Sequence, residues 1–453
     1  MSSHRFVNQR FSRIGAWLLA TSFLALLAGC KFDPAQVFSL SGPQSTIHVD
    51  GPVARAQDEV FMVTVWVTTF IFIVVGSVLA YAQIKFRAKS DADEHAAPPE
   101  QSHGNPFIEM GLIVASIVLL VIIAIPTLKN IWYTHDVPEA ERANAMEVTA
   151  TGYQWWFKFE YPTEMMKTAD GGEAPLVTAN ELVVPVGTPV RVHLRTVDVI
   201  HSFWVPKLAG KVDMIPNRAN FLWFKADKPG YYYGQCAEYC GDSHAIMKFR
   251  VIVLGAADYI RWLDNQKAMA RTASAATALR DAQRERVQFA SFEDTAPGST
   301  IAGSPEFDAS PFDAWKRQQV PSPAEDAALI ARGRELFAEK SCLNCHTVRG
   351  HTNSKGIPYG GVTAPDLTHI GSRSTIAAGV LENNSRRLHQ WLKDPEYFKP
   401  GNKMVHGVGR MAGYLKLGDD GRPVRDSSGK YVRNIELNDE EIDALVAYLH
   451  SLK

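Results

Sequence analysis

At 453 residues the chain is too long for one ordinary domain, and two or three folded units are expected. A formal net charge of −1 excludes an overall basic field for nucleic acid, so any partner must be recognised through local patches. The five cysteines, Cys30, Cys236, Cys240, Cys342 and Cys345, each fall in a distinct chemical context and leave none over for a structural disulfide.

Residues 1–30 place Arg5, Arg10 and Arg13 before an apolar run from Ile14 to Ala28, closed by Leu27-Ala28-Gly29-Cys30. A basic start, a short apolar stretch and small residues at the end read as an export signal rather than a spanning helix. The ending resembles a bacterial lipoprotein signal, which would make Cys30 the lipidated first residue; an ordinary signal or an uncleaved anchor is the alternative. An extramembrane segment, 31–59, comes next. Stretches 60–84 and 107–128 are then almost wholly apolar, and each meets the ~20-residue length that crosses the hydrocarbon core. Lys85, Arg87 and Lys89 put the intervening loop, 85–106, in the cytoplasm, so everything after Leu128 lies outside. Glu109 sits near the cytoplasmic end of the second helix, where an acid is either interfacial or part of a proton path.

From Met146 to about Leu254 the pattern changes to short alternating runs such as Val190-Arg191-Val192-His193-Leu194, punctuated by turns such as Val186-Gly187-Thr188-Pro189. Region 129–255 therefore reads as an all-β sandwich or barrel outside the membrane. Within it, Cys236, Cys240, His244 and Met247 share one short loop, and His201 comes from a separate strand. Thiolates, imidazoles and a thioether form a soft set that favours copper; structural zinc prefers four closed Cys/His ligands and has no use for methionine. A disulfide between Cys236 and Cys240 is the competing reading in an exported protein.

Region 256–325 divides into an Ala- and Arg-rich helical stretch, Ala257 to Gln288, and a flexible linker rich in Pro, Ser, Gly and Asp, Thr295 to Pro323. Region 326–453 is a small α domain bracketed by helices at 327–339 and 437–452, the second opened by Asn438-Asp439-Glu440-Glu441. It contains Cys342-Leu343-Asn344-Cys345-His346, the signature of covalent haem c with His346 as an iron ligand. A thioredoxin-like redox pair competes for the two cysteines, but no βαβ pattern surrounds them. A methionine downstream would complete the iron coordination; Met404 is the first choice and Met411 the reserve.

Four motifs carry a resemblance that covers nearly everything after Cys30. They are Gly152-Tyr153-Gln154-Trp155-Trp156, Asp198-Val199-Ile200-His201-Ser202-Phe203-Trp204-Val205-Pro206, Gly230-Tyr231-Tyr232-Tyr233-Gly234-Gln235-Cys236 and the Cys236–Met247 loop. With them the chain resembles subunit II of a bacterial haem-copper cytochrome c oxidase of the caa type. The resemblance implies a multidomain membrane protein: a two-helix transmembrane hairpin, a cupredoxin-like all-β sandwich and a small all-α class I cytochrome c domain. It implies location in the bacterial plasma (inner) membrane, with both extramembrane domains on the periplasmic side.

The same resemblance implies a dinuclear CuA centre bridged by Cys236 and Cys240 and capped by His201 and His244. Met247 and the Glu238 carbonyl would supply weak axial contacts, and the Glu238 carboxylate would face a magnesium or manganese ion at the border with subunit I. Trp155 matches the aromatic through which the family admits electrons to CuA, with a buried core tryptophan as the alternative. Glu109 matches the family's acid near the entrance of a proton channel in subunit I. Electrons from a cytochrome c or a cytochrome bc complex would pass through haem c and CuA to haem a of subunit I, where oxygen is reduced and protons are pumped. The haem domain is expected to reach CuA by local diffusion on its linker, at an effective concentration of roughly millimolar for short flexible tethers. A membrane-tethered copper and haem redox carrier or sensor with no oxidase partner is the alternative reading.

Overall fold

Pro52, which needs no amide partner at the first position of a helix, opens α1 (Pro52–Lys85). In the computed structural model, residues 42–88, 90, 97, 104–271, 309–322, 325–407, 413–416, 418, 424–429 and 432–453 are described. The signal region with Cys30 and the reserve ligand Met411 lie outside them. With 34 residues, α1 is about 51 Å long at 1.5 Å per residue, well beyond the ~30 Å hydrocarbon core. Its extra length at the N-terminal end is buried in protein: Val53, Ala54 and Ala56 are covered, and the Ala54 amide donates to the Leu208 carbonyl at 3.3 Å. This is why the helix begins before the apolar run at Val60.

The second helix, α2 (Pro106–His135), returns antiparallel to the first, and buried Asn130 donates from Nδ2 to the Ala56 carbonyl at 2.7 Å. Outside that seam the two helices expose continuous Phe, Ile, Leu and Val side chains, as a membrane or a membrane partner requires. The C-terminal end of α2 is joined to the β domain. The Tyr133 ring stands edge-on to Trp223 at 5.6 Å, Trp223 Nε1 donates to the Tyr133 carbonyl at 3.3 Å, and Arg191 pairs with Asp136 at 3.0 Å. The β domain is thereby held at one height above the spanning pair.

Ten strands form two five-stranded sheets. One holds β3 (Glu173–Ala179), β2 (Trp156–Lys167), β1 (Met146–Tyr153), β5 (Val190–Thr196) and β8 (Asn220–Phe224), in that order. The other holds β4 (Glu181–Pro185), β10 (Lys248–Leu254), β9 (Gly230–Cys236), β6 (His201–Trp204) and β7 (Val212–Met214). Pairings are antiparallel except β1 with β5 and β4 with β10, the crossovers expected of a sandwich. Alternate residues of β5 turn inward, and Phe157, Phe159, Phe203 and Phe249 meet between the sheets with centroids 4.7–6.4 Å apart. The all-β expectation is met.

Of region 256–325, residues 272–308, which hold most of the expected Ala- and Arg-rich helix and of the expected linker, lie outside the described residues; the described parts on either side pack on the sandwich. Trp262 and Leu263 of α3 (Ala256–Lys267), and Phe312 and Trp315 of α4 (Pro311–Gln318), belong to the sandwich's own core cluster. Aromatic burial at this scale outweighs the linker-like composition around it. The haem-motif unit that follows is seated on the sandwich, with backbone bonds such as Lys248 N to Ala378 O at 3.0 Å crossing between them.

That unit packs α5 (Ala327–Glu339) across α7 (Asp439–Ser451), with α6 (Ser385–Lys393) beside α7. Asp326 caps α5 and a capping box of Asn438 and Glu441 opens α7. Two short hairpin-like pairs, β11 (Thr347–Thr352) with β12 (Pro358–Gly360) and β13 (Thr375–Ile376) with β14 (Leu381–Glu382), supplement the expected helices. At the α5–α7 crossing, a β-carbon on Gly333 would run into the Ala444 carbonyl. Gly333→Val is therefore expected to cost roughly 1–3 kcal/mol, as overpacking does. Calorimetry of the holoprotein should show the haem unit's transition falling by roughly 5 °C or more while the sandwich's stays in place; an unmoved haem-unit transition would refute the close crossing.

Candidate metal centre and haem site

The copper candidates meet because of strand register. β6 and β9 are paired so that Phe203 faces Cys236, which carries His201, at the start of β6, to the end of β9 where the cysteine loop begins. Gly152 of β1 leaves room for the imidazole: a β-carbon there would lie 2.8 Å from His201 Cδ2. The loop then folds back through a 3-10 turn, His244–Ile246, and Cys236 N donates to the Met247 carbonyl at 2.9 Å, closing the loop on itself.

Within this loop the two sulfurs of Cys236 and Cys240 are 3.8 Å apart. His201 Nδ1 lies 3.9 Å from Cys236 Sγ, and His244 Nδ1 lies 3.5 Å from Cys240 Sγ. Met247 Sδ is 3.9 Å from Cys240 Sγ, and the Glu238 carbonyl oxygen is 3.3 Å from Cys236 Sγ. His201, Cys236, Cys240 and Met247 are buried and both cysteines are free thiols. Hydrogen bonding from Cys240, opposed by burial and reinforced by His201, holds the Cys236 thiol far below the ordinary range, and the same sharing drives Cys240 up. The two sulfurs are close enough for one thiophilic cation to take both as thiolates. Two thiolates, two imidazoles, one thioether and one carbonyl fit copper.

Asp198 is a participant that sequence reasoning missed as a functional group. Its Oδ1 lies 2.8 Å from His201 Nε2 and its Oδ2 accepts from the Gln154 amide at 2.8 Å. Burial works against His201 protonation, but Asp198 and the Cys236 sulfur outweigh it and raise the imidazole. The carboxylate fixes the ring so that Nδ1 faces the sulfurs, the usual office of an outer partner to a metal-binding histidine. Its position three residues before the histidine was the available signal.

Glu238 directs its carbonyl inward while its carboxylate is part-exposed, 3.9 Å from Lys211 Nζ. Trp155 is buried, and its indole Nε1 donates to the Cys240 carbonyl at 2.9 Å. Trp155 is thus a core residue that also touches the copper loop. Glu109 is exposed in the first turn of α2, roughly 40 Å along the helix from His135 at 1.5 Å per residue, and the structure does not bring it to the copper loop.

In the haem unit, Cys342 begins a one-turn 3-10 helix just after α5, and the His346 amide donates to the Cys342 carbonyl at 3.0 Å. His346 Nδ1 donates to the Pro365 carbonyl at 2.8 Å, leaving Nε2 with its lone pair outward. Burial lowers the His346 pKa and favours the neutral ring that iron needs. Met404 lies on the short helix Lys403–His406 and packs against the unit's apolar core with Cys342, Leu343 and Phe398. The residues present fit a covalent haem.

The two sites are neighbours. Ser243 Oγ, in the copper loop, donates to the Pro400 carbonyl at 2.7 Å. A β-carbon on Gly401 would lie 3.1 Å from Trp155 Cη2 and 3.0 Å from Asp242 Oδ2. The segment leading to Met404 therefore rests directly on Trp155 and the copper loop.

A cupredoxin-like copper domain joined to a haem c domain, on two apolar helices fit for membrane anchoring, defines an electron-carrying oxidoreductase. Residues 146–254 match the family model of the cytochrome c oxidase subunit II periplasmic domain, and residues 330–453 match that of cytochrome c. Cytochrome c oxidase subunit 2 of Alkalihalophilus pseudofirmus is 30% identical over 96% of this chain and 96% of its own. The Bacillus subtilis protein of the same name is 29% identical over 90% and 92%. The crystal structure of the periplasmic domain of subunit II from Bradyrhizobium japonicum aligns at 36% identity over 27% of this chain and 93% of its own, with a TM-score of 0.23. The chain belongs to the cytochrome c oxidase subunit 2 family. It is a cytochrome c oxidase subunit 2 whose two outer domains imply copper and haem c.

Proposed function

We propose that this chain is the subunit through which electrons reach the oxidase, with a dinuclear CuA centre held by His201, Cys236, Cys240, His244, Met247 and the Glu238 carbonyl, and haem c held by Cys342, Cys345, His346 and Met404. When bound, the two groups supply one-electron couples that relay electrons from a cytochrome c or cytochrome bc donor, by way of haem c and CuA, to haem a of subunit I. The observation that carries this reading is the pair of thiols 3.8 Å apart, each with an imidazole Nδ1 beside it. A mononuclear site needs only one such sulfur, whereas two bridging thiolates suit two metals sharing one electron. The loop's own hydrogen bonds, such as Cys236 N to Met247 O, support a donor set fixed by the fold.

Trp155 supports electron input, since it joins the Cys240 carbonyl to the segment before Met404. The part-exposed Glu238 carboxylate would offer an oxygen ligand to a magnesium or manganese ion at the border with subunit I. Glu109, at the opposite end of α2, would serve proton uptake into subunit I. Positive residues after α1 support a periplasmic location for both domains. The decisive experiment purifies the complex in mild detergent and measures copper against haem c, with electron paramagnetic resonance. Dinuclear stoichiometry with a mixed-valence signal is expected; haem c without that signal, or a Cys236–Cys240 disulfide, would overturn the copper assignment.

A further inference from the structure

The segment Ser374–Gly379 of the haem unit runs along β10 and β4 of the sandwich, and its backbone is unusual. Ala377, Ala378 and Gly379 have φ of 53°, 59° and 76°, so two alanines adopt the left-handed region in succession before a glycine. Residues with a β-carbon rarely enter that region, and such outliers persist only where surrounding structure over-determines them. The over-determination is visible here. Three consecutive carbonyls each receive a donor: Lys399 Nζ reaches Ala377 O at 3.4 Å, Lys248 N reaches Ala378 O at 3.0 Å, and Arg250 Nη2 reaches Gly379 O at 2.9 Å. Lys248 and Arg250 belong to the sandwich. Lys399 belongs to the haem unit, but its Nζ also lies 3.3 Å from the carbonyl of Ile246 in the copper loop.

The other end of the segment is pinned as well. Buried Glu181, on β4, accepts from Ser374 N at 2.8 Å, from Ser374 Oγ at 2.6 Å and from Trp315 Nε1 at 3.1 Å. Arg250 is fully buried, with its guanidinium 4.6 Å from the centroid of the Tyr233 ring. A buried charge tolerates only an arrangement that satisfies it, so groups of this kind select one register more than they add affinity. Sliding the haem unit by one residue would take Ser374 from Glu181 and the Gly379 carbonyl from Arg250 at once.

We propose that Ser374–Gly379 is a docking latch and Lys399 a positioning residue, which together hold the haem unit in one seat on the copper domain so that it works in place instead of shuttling. The seat is what puts Pro400 and Gly401 against Ser243 and Trp155. This rests on the relay proposed above, but the latch has a readout of its own: amide hydrogen exchange at Lys248 and Ser374 in the full chain. Both amides should be protected in the unmodified protein. In Arg250→Met, and in the milder Ser374→Ala, they should exchange at least about tenfold faster while core amides of β9 keep their protection. In the holoprotein, copper reduction after flash reduction of haem c should be a single phase indifferent to added viscogen, and in the variants it should become slower and viscosity-dependent. Unprotected Lys248 and Ser374 amides, or a wild-type rate that falls in proportion to viscosity, would overturn the latch. Protected amides with no passage of electrons from haem c to copper would uphold the latch and sink the relay.

Discussion

Cys236→Ser is expected to empty the copper centre and leave haem c in place. A serine hydroxyl is a hard, protonated oxygen at neutral pH, while the site offers copper its hold through soft thiolates. Removing Cys236 takes away the sulfur nearest His201 and the Glu238 carbonyl, and leaves Cys240 with His244 and Met247 alone. Outer partners of metal ligands typically cost 10–100-fold when lost, so loss of a bridging ligand should lower oxygen uptake by at least about 100-fold. Copper analysis should fall below the dinuclear ratio with the haem c spectrum unchanged. The sandwich itself should fold, because serine fits the volume that the thiol occupies at the edge of the core. Retention of the mixed-valence signal in this variant would contradict the ligand assignment.

The reciprocal change is His346→Ala, which should abolish low-spin haem c while copper is retained. His346 is aimed by one hydrogen bond to Pro365, and burial keeps the ring neutral with Nε2 available. Alanine supplies no lone pair, so the iron loses its proximal ligand and the unit loses the group around which Leu343, Met404 and Phe398 would pack. Oxygen uptake from a cytochrome c donor should fall by about 100-fold or more, in the range of a lost first-line metal ligand. The copper signal should persist, because its donors all come from the sandwich. A normal reduced haem c band in His346→Ala would show that another residue ligates the iron.

Much of the site could be read locally. Cys236 to Met247 and Cys342 to His346 are short stretches that hold most of the donors close along the chain, so residue type and order already point to the chemistry. The spanning helices were legible for the same reason, since a continuous apolar run has one cheap environment. Asp198 was less legible, because an acid before a histidine has meaning only once the pairing of β6 with β9 shows which ring nitrogen faces the sulfurs. Region 256–325 misled in the other direction: Phe312 and Trp315 sit in a Pro- and Ser-rich context, yet they fill the sandwich core.

The sequence by itself therefore determined the two metal chemistries, the membrane anchor and the β and α character of the two outer units, since each depends on residues close along the chain. Only the tertiary structure decided that the haem unit is seated on the sandwich, that Trp155 lies between Cys240 and Gly401, and that Glu181 and Arg250 bond the Ser374–Gly379 segment. Those relations join residues 85 or more positions apart. They depend on complementary backbone carbonyls and buried donors, which leave no periodicity or motif in either partner alone.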